Sequence, residues 1–123
     1  MSAVPTLGVV ALDCPDPVAL AGFYRELLDW GPPEPVDEDV HWVTLRNPAG
    51  GAALAFQRVE AYRPPAWPGQ DVPQQLHLDL EVTDLEAAHE RALAIGAKLL
   101  DDAPKTFRVY ADPAGHPFCL CAC

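Results

Sequence analysis

The chain repeats itself at an offset of 68 residues. Residues 9–20, VVALDCPDPVAL, align with residues 77–88, HLDLEVTDLEAA, so that Leu12 meets Leu80 and Asp16 meets Asp84. In each copy, alternating apolar and polar residues precede an aspartate, and apolar residues at helical spacing follow it. Because a strand and a helix recur in the same order, the sequence predicts two versions of one structural unit.

Each predicted helix begins after an aspartate. Asp16 and Asp84 are of the residue type that caps helix N-termini, and Pro17 suits the first turn, where its missing N–H leaves no bond unmade. Gly96 suits the C-terminal cap of the second helix. The apolar stripes consist of Leu20, Phe23, Tyr24 and Leu27 in the first helix and of Leu85, Ala88, Ala92 and Ile95 in the second.

Three short strands are expected after each helix. In the first copy they lie near Trp30, at about 40–46 and at about 52–59; in the second they lie at 97–100, 106–111 and 117–123. Tight turns at 47–50 (NPAG) and 112–115 (DPAG) join the last two strands of each copy. The predicted organisation is one domain, 1–123, of two βαβββ modules at about 5–60 and 75–123, with a proline-rich connector at about 61–74.

Charge limits the class of partner. Eight Lys and Arg against 18 Asp and Glu give a net charge of −10, which disfavours nucleic acid and anionic lipid and favours a cationic ligand. We find neither a signal peptide nor an apolar run of the roughly 20 residues that a membrane helix needs, and therefore expect a soluble cytoplasmic protein. Three of the four cysteines fall within the last five residues, where a bridge would constrain almost nothing, so reduced thiols are expected.

This pattern resembles the vicinal oxygen chelate superfamily, and more narrowly its small glyoxalase-like proteins. The resemblance implies an α+β fold in which two tandem βαβββ modules form a curved mixed sheet around a cleft (the glyoxalase/bleomycin resistance/dioxygenase fold). Homodimers are common among such proteins, so a homodimer is expected here. The matching segments are LDCPDPVALAGFYRELLDW, WVTLRNPAGGAALAFQRV, PPAWPGQDVPQQLHLDLEVTDLEAAHERALAIGA and DPAGHPFCLC.

The resemblance also implies where a metal would bind. Metal-dependent members place ligands at the start of the first strand and on the last strand of each module. His77 matches one such position, but its repeat partner, Val9, cannot bind a metal. Cys119 stands where the last strand's glutamate would be; the same count in the first module gives Leu54, or Gln57 if Gly50-Gly51 shifts the register.

Two interpretations of this donor set stay open. Because Mg²⁺ and Mn²⁺ prefer oxygen ligands, the usual glyoxalase or dioxygenase chemistry is not expected. His77 and Cys119, with Cys121 on the same strand face, could hold Zn²⁺. Alternatively the cysteines are small buried residues, since free cysteine often behaves as a small hydrophobe, and the protein needs no cofactor.

Strand alternation places His77, Asp79 and Glu81 on one face, which is predicted to line the cavity. His77 with Asp79 is the candidate catalytic acid–base pair; the alternative is a histidine satisfied by backbone or water.

Arg108 could pair a substrate carboxylate or form an exposed ion pair, and the strand parity around it is ambiguous. The candidate ligand-binding residues, each equally suited to a core or dimer contact, are Trp42, Phe56, Gln57, Trp67, Arg108 and Tyr110.

The other histidines are expected outside the site. His41 and His89 are predicted to be surface or edge residues, and His116 to lie at a cleft rim. No nucleophile motif, phosphate loop or dinucleotide fingerprint is present. All hypotheses but the last place a small organic molecule in the cleft between the modules. The first is an enzyme, either a lyase or isomerase that uses His77 and Asp79 or a metal enzyme with unusual ligands. The second is a binding protein that sequesters a drug or metabolite without chemistry. A scaffold acting through dimerisation is the third.

Overall fold

The structure is a computed structural model that describes residues 3–36 and 39–122. It forms two compact units, Met1–Glu60 (unit 1) and Ala61–Cys123 (unit 2), and confirms the predicted α+β class with two mixed sheets. The last residue of the predicted final strand, Cys123, lies outside the described residues. The elements are β1 (Val9–Cys14), α1 (Pro17–Leu28), β2 (Trp42–Leu45), β3 (Ala53–Arg58), β4 (Leu78–Glu81), α2 (Leu85–Ala94), β5 (Lys98–Asp101), β6 (Phe107–Ala111) and β7 (Pro117–Cys121).

Unit 1 contains a three-stranded sheet in the order β1-β3-β2, with β1 parallel and β2 antiparallel to β3. Alternation along β1 and β3 puts Leu12 and Phe56 on the face that packs against α1. Tyr24 of α1 stacks on Phe56 with ring centroids 5.8 Å apart, and both side chains are fully buried. This aromatic pair forms the centre of the unit's core.

The strand expected near Trp30 does not form, so that prediction is wrong. Residues 30–36 have no regular structure, and one backbone bond, from Glu34 N to Thr44 O (3.1 Å), ties them to the sheet. The segment contains Pro32, Pro33 and Pro35. Because proline has no backbone N–H, three potential donors to a strand ladder are missing from this short stretch.

Unit 2 contains a four-stranded sheet in the order β4-β7-β6-β5. Strand β4 runs parallel to β7, and β6 is antiparallel to both β7 and β5. On the face toward α2, Tyr110 stacks on its cross-strand partner Phe118 at 5.4 Å. Like Tyr24 and Phe56 in unit 1, this pair lies on the helix side of the sheet, but here both rings belong to strands.

The helix caps confirm the sequence prediction. Asp16 Oδ1 accepts a hydrogen bond from Ala19 N (3.2 Å), and Asp84 Oδ1 accepts one from Ala87 N (3.1 Å). Gly96, just beyond α2, has a φ of 111°, which a residue without Cβ adopts readily. In the described part of the chain, neither helix is long and apolar enough to cross a membrane.

The first hairpin turn shifts the strand register by one residue relative to the second. In unit 2, Asp79 pairs with Cys119; in unit 1, Ala11, the repeat partner of Asp79, pairs with Ala55. The counterpart of Cys119 is therefore Ala55, and the count that gave Leu54 is wrong because Gly50-Gly51 adds a residue. Leu54 faces α1, whereas Gln57 lies on the opposite face, as the alternative register predicted.

Candidate functional site

A cavity of about 530 Å³ lies on the face of the unit 2 sheet that points away from α2. Alternate residues of three adjacent strands form its floor, since side chains two apart on a strand share a face. The connector supplies the rest of the wall. The lining residues are Trp67, Gln74, His77, Asp79, Glu81, Phe107, Val109, Pro117, Cys119 and Cys121.

His77 and Asp79 form a hydrogen-bonded pair in this wall. His77 directly precedes β4, and its Nε2 lies 3.0 Å from Asp79 Oδ1. The side chains are 38% and 70% exposed. A carboxylate in this position orients the imidazole. The structure thus brings together the two residues predicted as an acid–base pair, while their catalytic role stays a prediction.

Cys119 lies beside this pair, opposite Asp79 in the parallel β4–β7 ladder. Its side chain is buried and reduced. Burial raises the pKa of the Cys119 thiol to about 11, and a hydrogen bond to Asp79 and the charge of that carboxylate act in the same direction. The thiol is therefore protonated at neutral pH.

His77, Asp79 and Cys119 also form a possible metal-binding cluster. Their nearest nitrogen, oxygen and sulfur ligand atoms all lie within 4.8 Å of one another. A mixed N, O and S donor set fits zinc and does not fit the oxygen-preferring Mg²⁺ or Mn²⁺. The sequence suggested His77 and Cys119; the register adds Asp79, which shares their strand face. The unit 1 counterparts of His77 and Cys119, Val9 and Ala55, offer no donor atom.

Cys121 differs from the other two described cysteines. It is disulfide-bonded, whereas Cys14 and Cys119 are free. The expectation of reduced thiols is therefore wrong for Cys121, and this residue supplies no thiolate to a metal.

The apolar part of the cavity contains residues that the sequence did not single out. Phe107 and Val109 line it because β6 pairs with β7 in a register that sets them opposite Cys121 and Cys119. Trp67, which was predicted, contributes its side chain from the connector. Both faces of β6 carry apolar side chains, so the sequence alone could not predict which face points toward the cavity. The pairing of β6 with β7 decides it.

The same register corrects two predicted ligand-binding residues. Arg108 and Tyr110 lie on the opposite face of β6, toward α2. The Arg108 guanidinium donates a hydrogen bond to Glu86 Oε1, which lowers the pKa of the Glu86 carboxyl. Tyr110 is fully buried, which raises its pKa, and its hydroxyl is 2.7 Å from His89 Nδ1. Neither Arg108 nor Tyr110 lines the cavity, and His89 is a half-buried partner of the core rather than a surface residue.

The predicted ligand-binding residues of unit 1 fall into two groups. Phe56 is a core residue, fully buried beneath α1, so its assignment to a ligand site is wrong. Trp42 and Gln57 are cross-strand neighbours on the face away from α1. The Trp42 indole is 43% exposed and donates to Thr44 Oγ1 at 2.9 Å. A ligand-binding role for Trp42 and Gln57 stays a prediction.

His116 has a structural position instead of the predicted cleft rim. The side chain is fully buried, with Nε2 3.2 Å from the Tyr62 hydroxyl, which donates to Ala114 O at 2.8 Å. Asp112 Oδ1 accepts from His116 N at 3.0 Å. These bonds hold the start of the connector against the 112–115 turn and so help to fix the segment that carries Trp67. His41 is exposed beside Asp39, as predicted.

Comparisons with known proteins give one family and several similar structures. The sequence profile of the glyoxalase-like domain matches residues 9–121. A comparison with the curated proteins finds no match. A glyoxalase/bleomycin resistance protein/dioxygenase family enzyme from Burkholderia phytofirmans PsJN is 22% identical, with a TM-score of 0.73 over 94% of this chain and 97% of that chain.

Two further similar structures carry functional names. A fosfomycin resistance protein from Mesorhizobium loti is 13% identical, with a TM-score of 0.70 over 98% of this chain and 93% of that one. An antibiotic binding protein from Streptomyces sp. CB03234 is 20% identical, with a TM-score of 0.60 over 98% of both chains. At these identities the likeness establishes the fold.

Proposed function

Because the chain belongs to the glyoxalase-like domain family, we propose that it binds a small, partly apolar organic molecule in the cavity of unit 2. The observation that carries this proposal is the lining of the cavity, which combines an apolar wall around Phe107 and Val109 with the polar row of His77, Asp79 and Glu81. A volume of about 530 Å³ is also in the usual range for small-molecule sites.

The His77–Asp79 pair supports an enzymatic form of this function, a lyase or isomerase. A neutral imidazole that donates its Nε2 hydrogen to Asp79 carries a lone pair on Nδ1. That lone pair can take a proton from a bound molecule, and Asp79 stabilises the imidazolium that results. The reaction would then need no nucleophile from the protein.

The exposure of the same pair favours the second form, a protein that sequesters a drug or metabolite without changing it. Side chains that are 38% and 70% exposed keep much of their contact with water, whereas catalytic pairs gain strength when water is excluded. One of the similar structures is an antibiotic binding protein. Turnover measurements separate the two forms, since a sequestering protein binds its ligand stoichiometrically and releases it unchanged.

Zinc chemistry is a further candidate, supported by the clustering of His77, Asp79 and Cys119. These three residues would hold the ion, and a bound zinc supplies a Lewis acid that polarises an oxygen of the ligand. Elemental analysis of untagged protein tests this role. Zinc near one ion per chain that is lost in His77→Ala and Cys119→Ala, and kept in His41→Ala and Cys14→Ala, supports it; zinc that does not depend on His77 or Cys119 contradicts it.

Ligand screening with a pair of tryptophan variants tests the binding function itself. Compounds that bind are expected to shift the amide resonances of Phe107 and Val109. The Trp67→Ala variant is expected to bind the same compounds more weakly. Trp42→Ala is the matched comparison, because Trp42 is the tryptophan of unit 1 that was also predicted to bind a ligand. Binding that depends on Trp42 and not on Trp67 would contradict the assignment to this cavity.

Two expectations stay proposals. The resemblance to glyoxalase-like proteins supports a homodimer, which light scattering on the purified protein measures. The composition supports a cytoplasmic location.

A further inference from the structure

We propose that the ligand of the unit 2 cavity carries a positive charge, as an amine or amidine, on an apolar or aromatic body. The inference rests on the proposed binding function and names the chemical class of its ligand. It comes from the arrangement of charged and aromatic side chains across the three strands that form the cavity floor.

Two carboxylates and a single imidazole are the ionisable oxygen and nitrogen groups of the wall. Asp79 and Glu81 line the cavity, and neither lysine nor arginine is among its described lining residues. His77 is paired with Asp79, so even a protonated His77 would balance one carboxylate and leave the other. An anionic ligand would meet repulsion here, and a cationic ligand would meet attraction.

Glu81 provides the stronger evidence for a cationic ligand. Its carboxylate is exposed and forms no ion pair with any residue of 3–36 or 39–122. A cation bound beside it would therefore gain a partner without displacing an existing one. Asp79 lies two residues earlier on the same face, about 6.6 Å away at the usual rise of a strand.

The apolar wall stands at a matching distance from these carboxylates. Strand pairing sets Glu81, Cys121 and Phe107 in one row across β4, β7 and β6. Since neighbouring strands lie about 4.8 Å apart, the Phe107 backbone is about 9.6 Å from that of Glu81. An amine joined to an aromatic ring by a short linker can reach Glu81 with its charge and Phe107 with its ring.

The position of Arg108 removes the main argument for an anionic ligand. Arg108 lies on the face toward α2, where it is paired with Glu86. The sequence alone permitted this guanidinium to bind a substrate carboxylate, and the fold assigns it to a different surface. The net charge of −10 acts in the same sense, since it attracts cations toward the protein.

Matched probes on the full chain test the inference. We would measure binding of 2-naphthylethylamine, 2-naphthylethanol and 3-(2-naphthyl)propanoate by calorimetry and by amide shifts. The amine is expected to bind about tenfold tighter than the alcohol, from one exposed ion pair and a cation–aromatic contact, and the acid to bind most weakly. Raising salt from about 50 to about 500 mM should weaken the amine alone.

Two isosteric variants locate the charge. Glu81→Gln should remove most of the preference for the amine, whereas Glu90→Gln, the same change at an exposed site on α2 outside the cavity, should leave it intact. Both sites are exposed, so the amide spectrum should show that both variants keep the fold. A preference for the amine that survives Glu81→Gln combined with Asp79→Asn would overturn the proposal.

The remaining outcomes distinguish this inference from the proposed function. If the alcohol or the acid binds as tightly as the amine and shifts Phe107 and Val109, the charge of the ligand is wrong and the binding function stands. If none of the three probes shifts any cavity resonance at millimolar concentration, both are overturned.

Discussion

Strands β1 and β4 occupy the same place in their units, yet the residues that point away from the helices differ in kind. Unit 1 has Val9 and Ala11 where unit 2 has His77 and Asp79, and the strands that pair with them carry Ala55 and Cys119. The helix-facing sides remain alike, each with a buried aromatic pair. The framework of the repeat is thus shared, whereas the donor atoms of His77, Asp79 and Cys119 have no counterpart at the matching positions of unit 1.

The largest expected effect is a loss of stability in variants that disrupt the aromatic core of either unit. Phe56→Ala and Phe118→Ala each remove a fully buried ring from an aromatic pair, so each should lower the free energy of unfolding by about 3–5 kcal/mol. Chemical denaturation followed by circular dichroism measures this. His77→Ala, at an exposed position, should change stability by less than about 0.5 kcal/mol; a loss as large as those of the core variants would mean that His77 is structural.

The second prediction concerns the thiol that distinguishes unit 2. With a pKa of about 11, Cys119 should have about 100-fold less thiolate at pH 8 than a thiol with the ordinary value of about 9. Alkylation of the native protein should therefore be slow, and should speed up about tenfold per pH unit between pH 8 and pH 10 because the folded thiol releases its proton only near pH 11.

Asp79→Asn sharpens that measurement, since it removes a charge that opposes ionisation of Cys119. Alkylation of Cys119 at pH 8 should become faster in this variant. Mass spectrometry of the modified peptide separates Cys119 from Cys14, which is fully buried in unit 1. A rate that already levels off below pH 9 would contradict the raised pKa.

The third prediction compares the two hairpin turns. Gly50 and Gly115 both have a positive φ, 88° and 92°, so alanine should cost about 1 kcal/mol at either site. At Gly115 an added Cβ would also lie 2.9 Å from Pro64 Cβ, whereas nothing lies within 4 Å at Gly50. Gly115→Ala should therefore cost about 2 kcal/mol or more in thermal or chemical unfolding, and equal effects would show that the connector yields easily.

The helix caps are expected to give the smallest effect. They test whether corresponding positions of the repeat contribute equally to the free energy of unfolding. Asp16→Ala and Asp84→Ala each remove one cap hydrogen bond of nearly equal length, 3.2 and 3.1 Å. Each should lower the free energy of unfolding by about 1 kcal/mol. Asp→Asn at the same positions is the control, since asparagine also caps and should recover most of the loss. A difference of more than about 1 kcal/mol between the two alanine variants would show that the caps are not equivalent.

Much of the framework could be predicted from the sequence because its signals are local. An aspartate caps the helix that begins beside it, and Asn47 and Asp112 bond to the backbone of their own turns. The polar face of β4 was predictable for the same reason, since alternation with Leu78 and Leu80 leaves no ambiguity. The strand predicted near Trp30 does not form because three prolines in this segment have no backbone N–H to donate. This effect outweighs the pattern of the repeat.

The cavity wall could be predicted only in part. His77, Asp79 and Trp67 were identified, but Phe107 and Val109 were not, because both faces of β6 carry apolar or aromatic side chains. Periodicity cannot choose between two such faces. The choice depends on pairing with β7 and on the position of α2, which places Tyr110 beside His89 and Arg108 beside Glu86.

The sequence by itself determined the repeat, the caps, the turns and the side of β4 that carries the polar groups, since each depends on residues a few positions apart. The tertiary structure decided the register that sets Cys119 beside Asp79. It also placed Arg108 on the face toward α2 and so left the cavity wall with a negative charge. These features depend on pairing between segments distant in sequence, where one residue of shift exchanges the two faces of a strand.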